Sequence, residues 1–134
     1  MKHVGIAVVT WKHLMLLVQY GADAKYPSRW VIPGGKIFAN EATIEAVKRE
    51  LWEETGLVVP IKNWEFLCTA KRDGDEHEFH VMHGVYPCDW PYLTRPPAVL
   101  LEPSMQGYGW FPYSLPIDKD PANFLRLYGC VGPC

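Results

Sequence analysis

The strongest constraint on the fold of this chain is a single helical pattern placed between short apolar runs. The pattern covers residues 42–55, and Gly56 directly after it is expected to end the helix. Within it, Ile44, Val47 and Leu51 recur at spacings of three and four residues, so they form one apolar stripe. Because such a stripe has to be buried, we expect the helix to pack against a sheet formed by the neighbouring runs.

Short runs rich in branched aliphatic and aromatic residues predict strands on both sides of this helix. They cover residues 4–9, 14–19, 30–32, 64–71, 78–86, 98–101 and 108–111. A Pro-Gly-Gly sequence at 33–35 is expected to stop the third run and to let the backbone turn sharply. Asp120 and Pro121 predict the start of a second helix that ends near residue 128. This order predicts one α/β domain over residues 1–134, with a mixed sheet covered on both faces.

The composition indicates a globular domain and limits its partners. Of 134 residues, 49% are hydrophobic and 21% are charged, which is enough for a core. The formal net charge of -2 provides no positive field for a nucleic acid polymer or a membrane, whereas a free nucleotide needs only local positive charge. Lys12 and His13 interrupt the apolar N-terminal pattern, so neither a signal peptide nor a membrane span is expected.

The cysteines give an expectation about the compartment. They are too few and too scattered for a disulfide scaffold, and the terminal pair lacks the second ligand pair of a structural zinc site. We expect a cytoplasmic protein on these grounds. Free thiols are expected at Cys68, Cys88, Cys130 and Cys134.

Three glutamates lie together on the predicted helix, next to its apolar stripe. Glu50, Glu53 and Glu54 occupy one sector, and Glu54 is only about 20° from Val47 around the helix axis. Carboxylates at these spacings repel one another, so an opposite charge should compensate them. One explanation is a solvated acidic face relieved by the adjacent basic residues. The other is a hard divalent cation, Mg²⁺ or Mn²⁺, because the two glycines upstream offer carbonyl oxygens without side-chain obstruction.

The spacing of these residues matches a known family. Gly35, Glu41 and the run Arg49-Glu50-Leu51-Trp52-Glu53-Glu54-Thr55-Gly56-Leu57 reproduce the Nudix box at every defined position. Together with the opening strand pair and the segments 30–36 and 109–116, they make most of the chain similar to MutT-type Nudix hydrolases. The resemblance implies the Nudix fold, an α/β/α sandwich around a central mixed sheet. It also implies Mg²⁺-dependent hydrolysis of a pyrophosphate linkage in a nucleoside diphosphate attached to another group.

The resemblance also implies roles for particular residues. The expected metal ligands are the main-chain carbonyl of Gly34 and the side chains of Glu50, Glu53 and Glu54. The expected catalytic residues are Glu50, Arg49 and Glu53. Arg49 would orient the glutamates, and Glu50 is the first candidate for the general base, since a carboxylate near a cation can take a proton from water. Glu41, at the helix entrance, would be structural.

One position departs from the pattern of many MutT-like relatives. These relatives place a further glutamate in the loop before the strand of Trp110, where this chain has Gln106. The amide oxygen of a glutamine can bind a metal but brings no charge and is no useful base. Either the box suffices, or Glu102, Glu76 or Glu78 takes this role.

The substrate contacts are predicted from side-chain chemistry. We select Tyr20, Trp30, Lys36 and His80 as substrate-binding candidates. The two aromatic side chains suit stacking on a base, and Lys36 suits a phosphate, as do Lys25 and Arg29. Strand alternation places His80 beside Glu78 and on the opposite face from His83. For each candidate a purely structural role is the alternative.

The leading functional hypothesis is a pyrophosphohydrolase acting on a small-molecule nucleotide. The narrower expectation is a nucleoside or deoxynucleoside triphosphate that is cleaved to the monophosphate and pyrophosphate. The alternative is a nucleotide-binding Nudix module that acts as a sensor or regulator without turnover. A Nudix-type isomerase of isoprenyl diphosphates is disfavoured, since no catalytic cysteine or set of further metal-binding histidines is clearly placed. The sequence is compatible with a homodimer.

Overall fold

The structure is a computed structural model that describes residues 2–25, 27–87, 97–113 and 115–129. Within these ranges the chain forms seven strands, two α-helices and one 3₁₀-helix. The strands are β1 Lys2–Trp11, β2 Leu14–Tyr20, β3 Trp30–Val31, β4 Gly34–Lys36, β5 Trp64–Ala70, β6 His77–Val85 and β7 Met105–Pro112. The helices are α1 Thr43–Thr55, the 3₁₀-helix Ile61–Asn63 and α2 Pro121–Gly129.

The sheet is mixed, and the parallel pair of β1 and β6 lies at its centre. The register of this pair extends from Lys2 opposite His77 to Thr10 opposite Val85. Parallel neighbours need a long crossover connection, and α1 lies in the connection between these two strands. The main path of the sheet is β3-β2-β1-β6-β5, with β4 paired to β1 and β7 paired to β2.

Strand β1 is buried on both faces because a helix covers each side of the sheet. The core on one face joins alternate residues of β1 to α1: Ala7, Val9, Val47 and Leu51. The core on the other face joins the remaining residues of β1 to α2: Ile6, Val8, Phe124 and Leu127. These two layers confirm the predicted α/β/α sandwich with its central mixed sheet.

The ends of both helices follow the local sequence signals. At the start of α1, the amide of Ala42 donates to Oε1 of Glu45 at 2.9 Å. At its end, Gly56 adopts a φ of 71° and its amide donates to the carbonyl of Trp52 at 2.8 Å. At the start of α2, Oδ1 of Asp120 accepts from the amide of Ala122 at 2.9 Å. The predicted limits of both helices are therefore confirmed to within a residue or so.

The strand predicted at residues 98–101 is wrong. The described part of this segment has no strand, although Val99 packs against the core on the α1 side of the sheet. The amide of Leu100 donates to the carbonyl of Thr55 at 2.9 Å, and the amide of Glu102 donates to the carbonyl of Glu54 at 3.3 Å. The segment therefore caps the last turn of α1 instead of pairing with a strand.

The third run does stop before the glycines, since β3 ends at Val31, but the expectation of a sharp turn at residues 34 and 35 is wrong. They begin strand β4, which pairs antiparallel with β1, so that Gly34 is opposite Ile6 and Gly35 opposite Gly5. Among the described glycines, positive φ angles occur at Gly56 and Gly74. Glycine is needed here for close approach: a Cβ on Gly34 would lie 2.3 Å from the carbonyl oxygen of Gly5.

Two further expectations are tested only where the structure describes the residues. Cys68 is buried and carries a free thiol, whereas Cys88, Cys130 and Cys134 lie outside the described residues. Neither α-helix in the described ranges is long and apolar enough to cross a membrane.

Candidate active site

Strand β4 and helix α1 bring the glycine pair against two of the box glutamates. The amide of Gly34 donates to Oε1 of Glu54 at 3.3 Å. A Cβ on Gly35 would lie 2.4 Å from the carboxyl carbon of Glu50. Such a separation does not occur between real atoms, so any other residue at this position would displace the Glu50 carboxylate. The glycines thus let the backbone of β4 lie directly beside two carboxylates.

Glu54 is the buried acid of this group, with only 5% of its surface exposed. Burial above all, and then the charge of Glu50 and a hydrogen bond to it, raise the pKa of Glu54 to about 9. The Gly34 amide opposes this shift but does not cancel it. Arg49 compensates the charge of Glu50 but makes no described contact with Glu54, so a bound divalent cation would provide the positive charge that keeps both carboxyl groups ionised.

Arg49 holds the other side of the glutamate cluster. Its Nε and Nη2 atoms donate to the two carboxylate oxygens of Glu41 at 2.8 and 3.0 Å. Its Nη1 atom donates to Oε1 of Glu50 at 2.9 Å and lies 3.4 Å from the Glu53 carboxylate. The guanidinium also stacks on the ring of Phe38, with 4.0 Å between its central carbon and the ring centroid. Five contacts of this kind fix the direction from which Arg49 meets the glutamates.

Glu41 is fixed at the same time. Besides the two bonds from Arg49, Oε1 of Glu41 accepts from the amide of Phe38 at 3.0 Å. The hydrogen bond from Arg49 is the main cause that lowers the pKa of Glu41, so this carboxyl group stays ionised. The structure thus places Glu41 against Arg49 and the backbone.

The loop before β7 contributes Glu102 to the surroundings of the cluster. The main chain of Glu102 is bonded to that of Glu54, and its charge is among the causes that raise the pKa of Glu54. The side-chain amide of Gln106, in contrast, donates to the hydroxyl of Ser28 at 3.1 Å. Of the alternatives named above, Glu76 is paired with Lys2 at 2.9 Å. Glu78, on strand β6, has its carboxylate 3.6 Å from Nε2 of His80.

A cleft of about 440 Å³ lies on the α2 side of the sheet. Its walls are the side chains of Val4, Tyr20, Lys25, Arg29, Val31, Arg72, Asp75, His77, Phe79 and Tyr128. Tyr20 connects this cleft to the glutamates: burial raises its pKa, and the charges of Tyr128 and Glu54 raise it further. Val31 lies three residues before Gly34 along the chain. The cleft and the glutamate cluster are therefore neighbours.

The other predicted substrate-binding residues lie outside the walls of this cleft. Trp30 packs edge-to-face on Phe111, with 5.2 Å between ring centroids. Lys36 contributes its carbonyl oxygen to Arg49 at 2.9 Å. His80 lies on the α1 side of the sheet, where its Nε2 atom is 2.9 Å from Nδ1 of His3.

Sequence reasoning missed several members of both groups. Phe38 has no motif, because its role depends on the position of a helical residue, Arg49. His77 and Phe79 lie on one face of β6, and His80 lies on the other, because side chains alternate along a strand. This alternation is the sequence signal that could have grouped His77 with Phe79, both of which line the cleft.

Comparison with known proteins identifies the family. The model of the NUDIX domain matches residues 1–128, which is nearly the whole chain. The chain therefore belongs to the Nudix family, and the resemblance found in the sequence is confirmed.

Two curated relatives are similar to parts of the chain. The nucleoside triphosphatase NudI of Escherichia coli K12 is 27% identical over 92 residues, which are 63% of this chain and 62% of the relative. The RNA pyrophosphohydrolase of Bartonella henselae is 43% identical over 47 residues, which are 35% of this chain and 27% of the relative. The chain thus matches less than two thirds of the length of either relative.

One solved structure with the same fold contains ligands. It is the bifunctional NMN adenylyltransferase/ADP ribose pyrophosphatase of Francisella tularensis complexed with AMP and a Mn ion, which superposes with a TM-score of 0.68 at 20% identity. The alignment covers 94% of this chain and 40% of that protein. This likeness supports the Nudix fold of the chain.

Proposed function

We propose that this protein is a metal-dependent pyrophosphohydrolase that hydrolyses a nucleotide at a phosphoric anhydride bond. The observation that carries the proposal is the burial of Glu54 beside Glu50 and the backbone of Gly34. Arg49 bonds Glu50, whereas no positive charge contacts Glu54 among the contacts that the structure describes. A cleft of about 440 Å³ with aromatic and basic walls lies nearby. A nucleotide with its cation supplies the missing positive charge.

The residues present suit a hard divalent cation. The carboxylates of Glu50, Glu53 and Glu54 and the carbonyl of Gly34 would hold Mg²⁺ or Mn²⁺, which prefer oxygen ligands. The cation supplies charge that offsets the phosphates and lowers the pKa of a coordinated water toward ~7. The Francisella tularensis structure, 40% of which aligns with this chain, also contains a Mn ion.

Arg49 positions the glutamates of the box for the removal of a proton from water. Arg49 donates to Oε1 of Glu50 and so fixes the direction of the carboxylate that would accept a proton from the attacking water. Glu53 shares the same guanidinium and completes the row of charge along one side of α1. Because Arg49 is itself held by Glu41 and Phe38, the base keeps its direction without a substrate.

The cleft suits the nucleoside and the phosphates beyond the bond that is cleaved. Tyr20 and Tyr128, which are both half-buried, offer ring surface for a base, and Lys25 and Arg29 add positive charge among the walls of the cleft. The narrower proposal is cleavage of a nucleoside or deoxynucleoside triphosphate to the monophosphate and pyrophosphate. The activity in the name of the relative NudI, a nucleoside triphosphatase, supports this substrate class.

The test is a panel of nucleoside and deoxynucleoside triphosphates, dinucleotides and nucleoside diphosphate sugars with Mg²⁺ or Mn²⁺. Release of phosphate and pyrophosphate is measured, and hydrolysis in ¹⁸O-labelled water identifies the phosphorus that is attacked. The matched pair of variants is Glu53→Gln in the box and Glu65→Gln on strand β5, whose side chain is exposed. Turnover that Glu53→Gln abolishes and Glu65→Gln keeps supports the proposal. Binding of a nucleotide with no turnover on any member would replace it with the module that binds without hydrolysis.

A further inference from the structure

A second group of metal-ligating side chains lies on the central strands, outside the site described above. His3 of β1 is directly opposite Glu78 of β6 in the parallel register, and His80 follows Glu78 by two residues. With a period of two along a strand, all three side chains project from the same face of the sheet. Their placement is thus a product of the register of β1 and β6.

The distances between the ligand atoms match a single metal ion. Nδ1 of His3 is 2.9 Å from Nε2 of His80, and the latter atom is 3.6 Å from Oε1 of Glu78. All three ligand atoms lie within 4.8 Å of one another. Metal bonds of about 2.0–2.2 Å place neighbouring ligand atoms roughly 3–3.5 Å apart. Small side-chain rotations would therefore bring all three onto one ion.

Hydrogen bonds account for the contact between His3 and His80 but not for the position of Glu78 beside them. One proton between the two rings accounts for the contact of 2.9 Å. The separation of 3.6 Å to Glu78 is too long for a hydrogen bond. A carboxylate thus lies close to two imidazoles without a hydrogen bond to either among the contacts that the structure describes.

The group is open to solvent and separate from the glutamate cluster of the box. His3 is exposed, and the side chains of Glu78 and His80 are 27% and 18% exposed, so an ion can enter without unfolding. In the sheet, Gly5 lies between Gly35, which contacts Glu50, and His80. Strand β1 therefore lies between Glu50, which meets β4, and the two ligands on β6, while both groups are on the α1 face of the sheet.

We propose that His3, Glu78 and His80 form a second cation site, selective for a borderline transition metal such as Zn²⁺ and its analogues Co²⁺ and Ni²⁺. Two imidazole nitrogens and one carboxylate oxygen are ligands that Zn²⁺ accepts and Mg²⁺ does not favour. Three protein ligands leave a fourth position to water. The box, with oxygen ligands alone, has the opposite preference.

A bound ion joins β1 to β6, the parallel pair at the centre of the sheet. Because an ion that binds only the folded state stabilises it, Zn²⁺ raises the melting temperature, and the rise continues with the logarithm of free Zn²⁺ above the Kd. This effect does not depend on hydrolysis, so the inference stands or falls separately from the proposed function.

The test uses the whole chain, free of any polyhistidine tag and stripped of metal with a chelator that is then removed. Titration calorimetry with ZnCl₂ is carried out with millimolar Mg²⁺ present to occupy the box. One equivalent of Zn²⁺ is expected to bind and to raise the melting temperature. With CoCl₂, visible absorption bands of a site with nitrogen ligands are expected at the same stoichiometry.

Matched variants assign the ion to its ligands. His3→Gln and His80→Gln should each weaken Zn²⁺ binding by at least the roughly 10–100-fold cost of losing an outer-shell partner. His13→Gln, which changes an exposed histidine in the turn after β1, should leave it unchanged. The box variant Glu53→Gln should also bind one equivalent of Zn²⁺. Equal Zn²⁺ affinity in the parent, His3→Gln and His80→Gln would overturn the proposal, as would loss of the equivalent in Glu53→Gln alone.

Discussion

Arg49 and Glu41 form a two-point contact, in which Nε and Nη2 of the guanidinium donate to the two oxygens of one carboxylate at 2.8 and 3.0 Å. This contact turns the remaining edge of Arg49 toward Glu50, where Nη1 donates at 2.9 Å. Glu41, eight positions before Arg49, thus sets the direction of the candidate base Glu50 through the guanidinium. The relationship is geometric, because a lysine offers a single point of charge and cannot make both contacts.

We therefore expect Arg49→Lys to lower kcat/KM by about 10- to 100-fold, since Glu50 and Glu53 lose a shared donor of fixed direction. Glu41→Gln should have a smaller effect of the same kind, because its amide replaces one of the two acceptor oxygens with a donor. Steady-state kinetics at saturating Mg²⁺ would measure both. Unchanged kinetics in Arg49→Lys would show that the two-point contact has no part in positioning Glu50.

A second prediction concerns Gly35, whose missing side chain makes room for the Glu50 carboxylate. In Gly35→Ala the new Cβ would lie 2.4 Å from the Glu50 carboxyl carbon, so this carboxylate must rotate away. We expect loss of activity of about 100-fold or more, as for removal of a positioned catalytic group. The control is Gly74→Asn, at a position with a φ of 78° and no atom within 4 Å of a Cβ. Activity assays and circular dichroism would separate loss of function from loss of fold.

The sequence predicts the helices and the box well because their signals are local. Gly56 and Asp120 act within a few residues of themselves, and the spacing of three and four along α1 places three glutamates without reference to the sheet. The sequence predicts a turn at Gly34 and Gly35 because the contacts that require glycine there are distant in the chain, with Gly5 for Gly34 and with Glu50 for Gly35. Contacts of this kind depend on the register of β4 against β1, which no local pattern encodes.

Two other parts of the structure could not be predicted from the sequence, because they also depend on contacts between distant residues. Segment 98–101 has the apolar character of a strand, yet its backbone bonds go to the end of α1. Whether Gln106 or Glu102 approaches the glutamates depends on the course of this segment. Likewise, His3 and Glu78 are 75 positions apart and become neighbours only through the parallel pairing of β1 and β6.

A third prediction concerns the stability of the metal-free protein and its dependence on pH. The pKa of Glu54 is about 9 in the folded state, whereas the ordinary value for a glutamate is 4.5. Between these pH values the unfolded chain releases a proton that the folded chain keeps, so the free energy of unfolding falls as pH rises. Glu54→Gln carries no such proton. We expect this variant to be more stable than the parent by on the order of 4 kcal/mol at pH 7.5, since about three pH units at roughly 1.4 kcal/mol each separate this pH from 4.5, with little difference near pH 4.5.

Urea denaturation in the presence of EDTA, repeated between pH 4.5 and pH 9, would measure this difference. With Mg²⁺ in excess the order should reverse, because the parent gains stability from the ion and the variant has lost a ligand. The same variant should lose turnover by about 100-fold or more. Parallel pH profiles of stability for Glu54→Gln and the parent would show that Glu54 is not the buried acid described above.

The last prediction decides whether Glu102, in the loop before β7, or Gln106, which lies on β7 and not in the loop as expected, serves the metal. Glu102 is bonded through its main chain to Glu54 and adds to the negative potential there, whereas Gln106 is bonded to Ser28. Removing the charge in Glu102→Gln should therefore weaken apparent Mg²⁺ binding by about two- to fivefold, equivalent to roughly 0.5–1 kcal/mol between partly screened charges. Gln106→Glu should change it by less. The measurement is the titration of activity against Mg²⁺ for the parent and both variants, with Mg²⁺ half-saturation as the readout. A shift confined to Gln106→Glu would mean that β7 presents residue 106 to the ion, as in the relatives that carry a glutamate there.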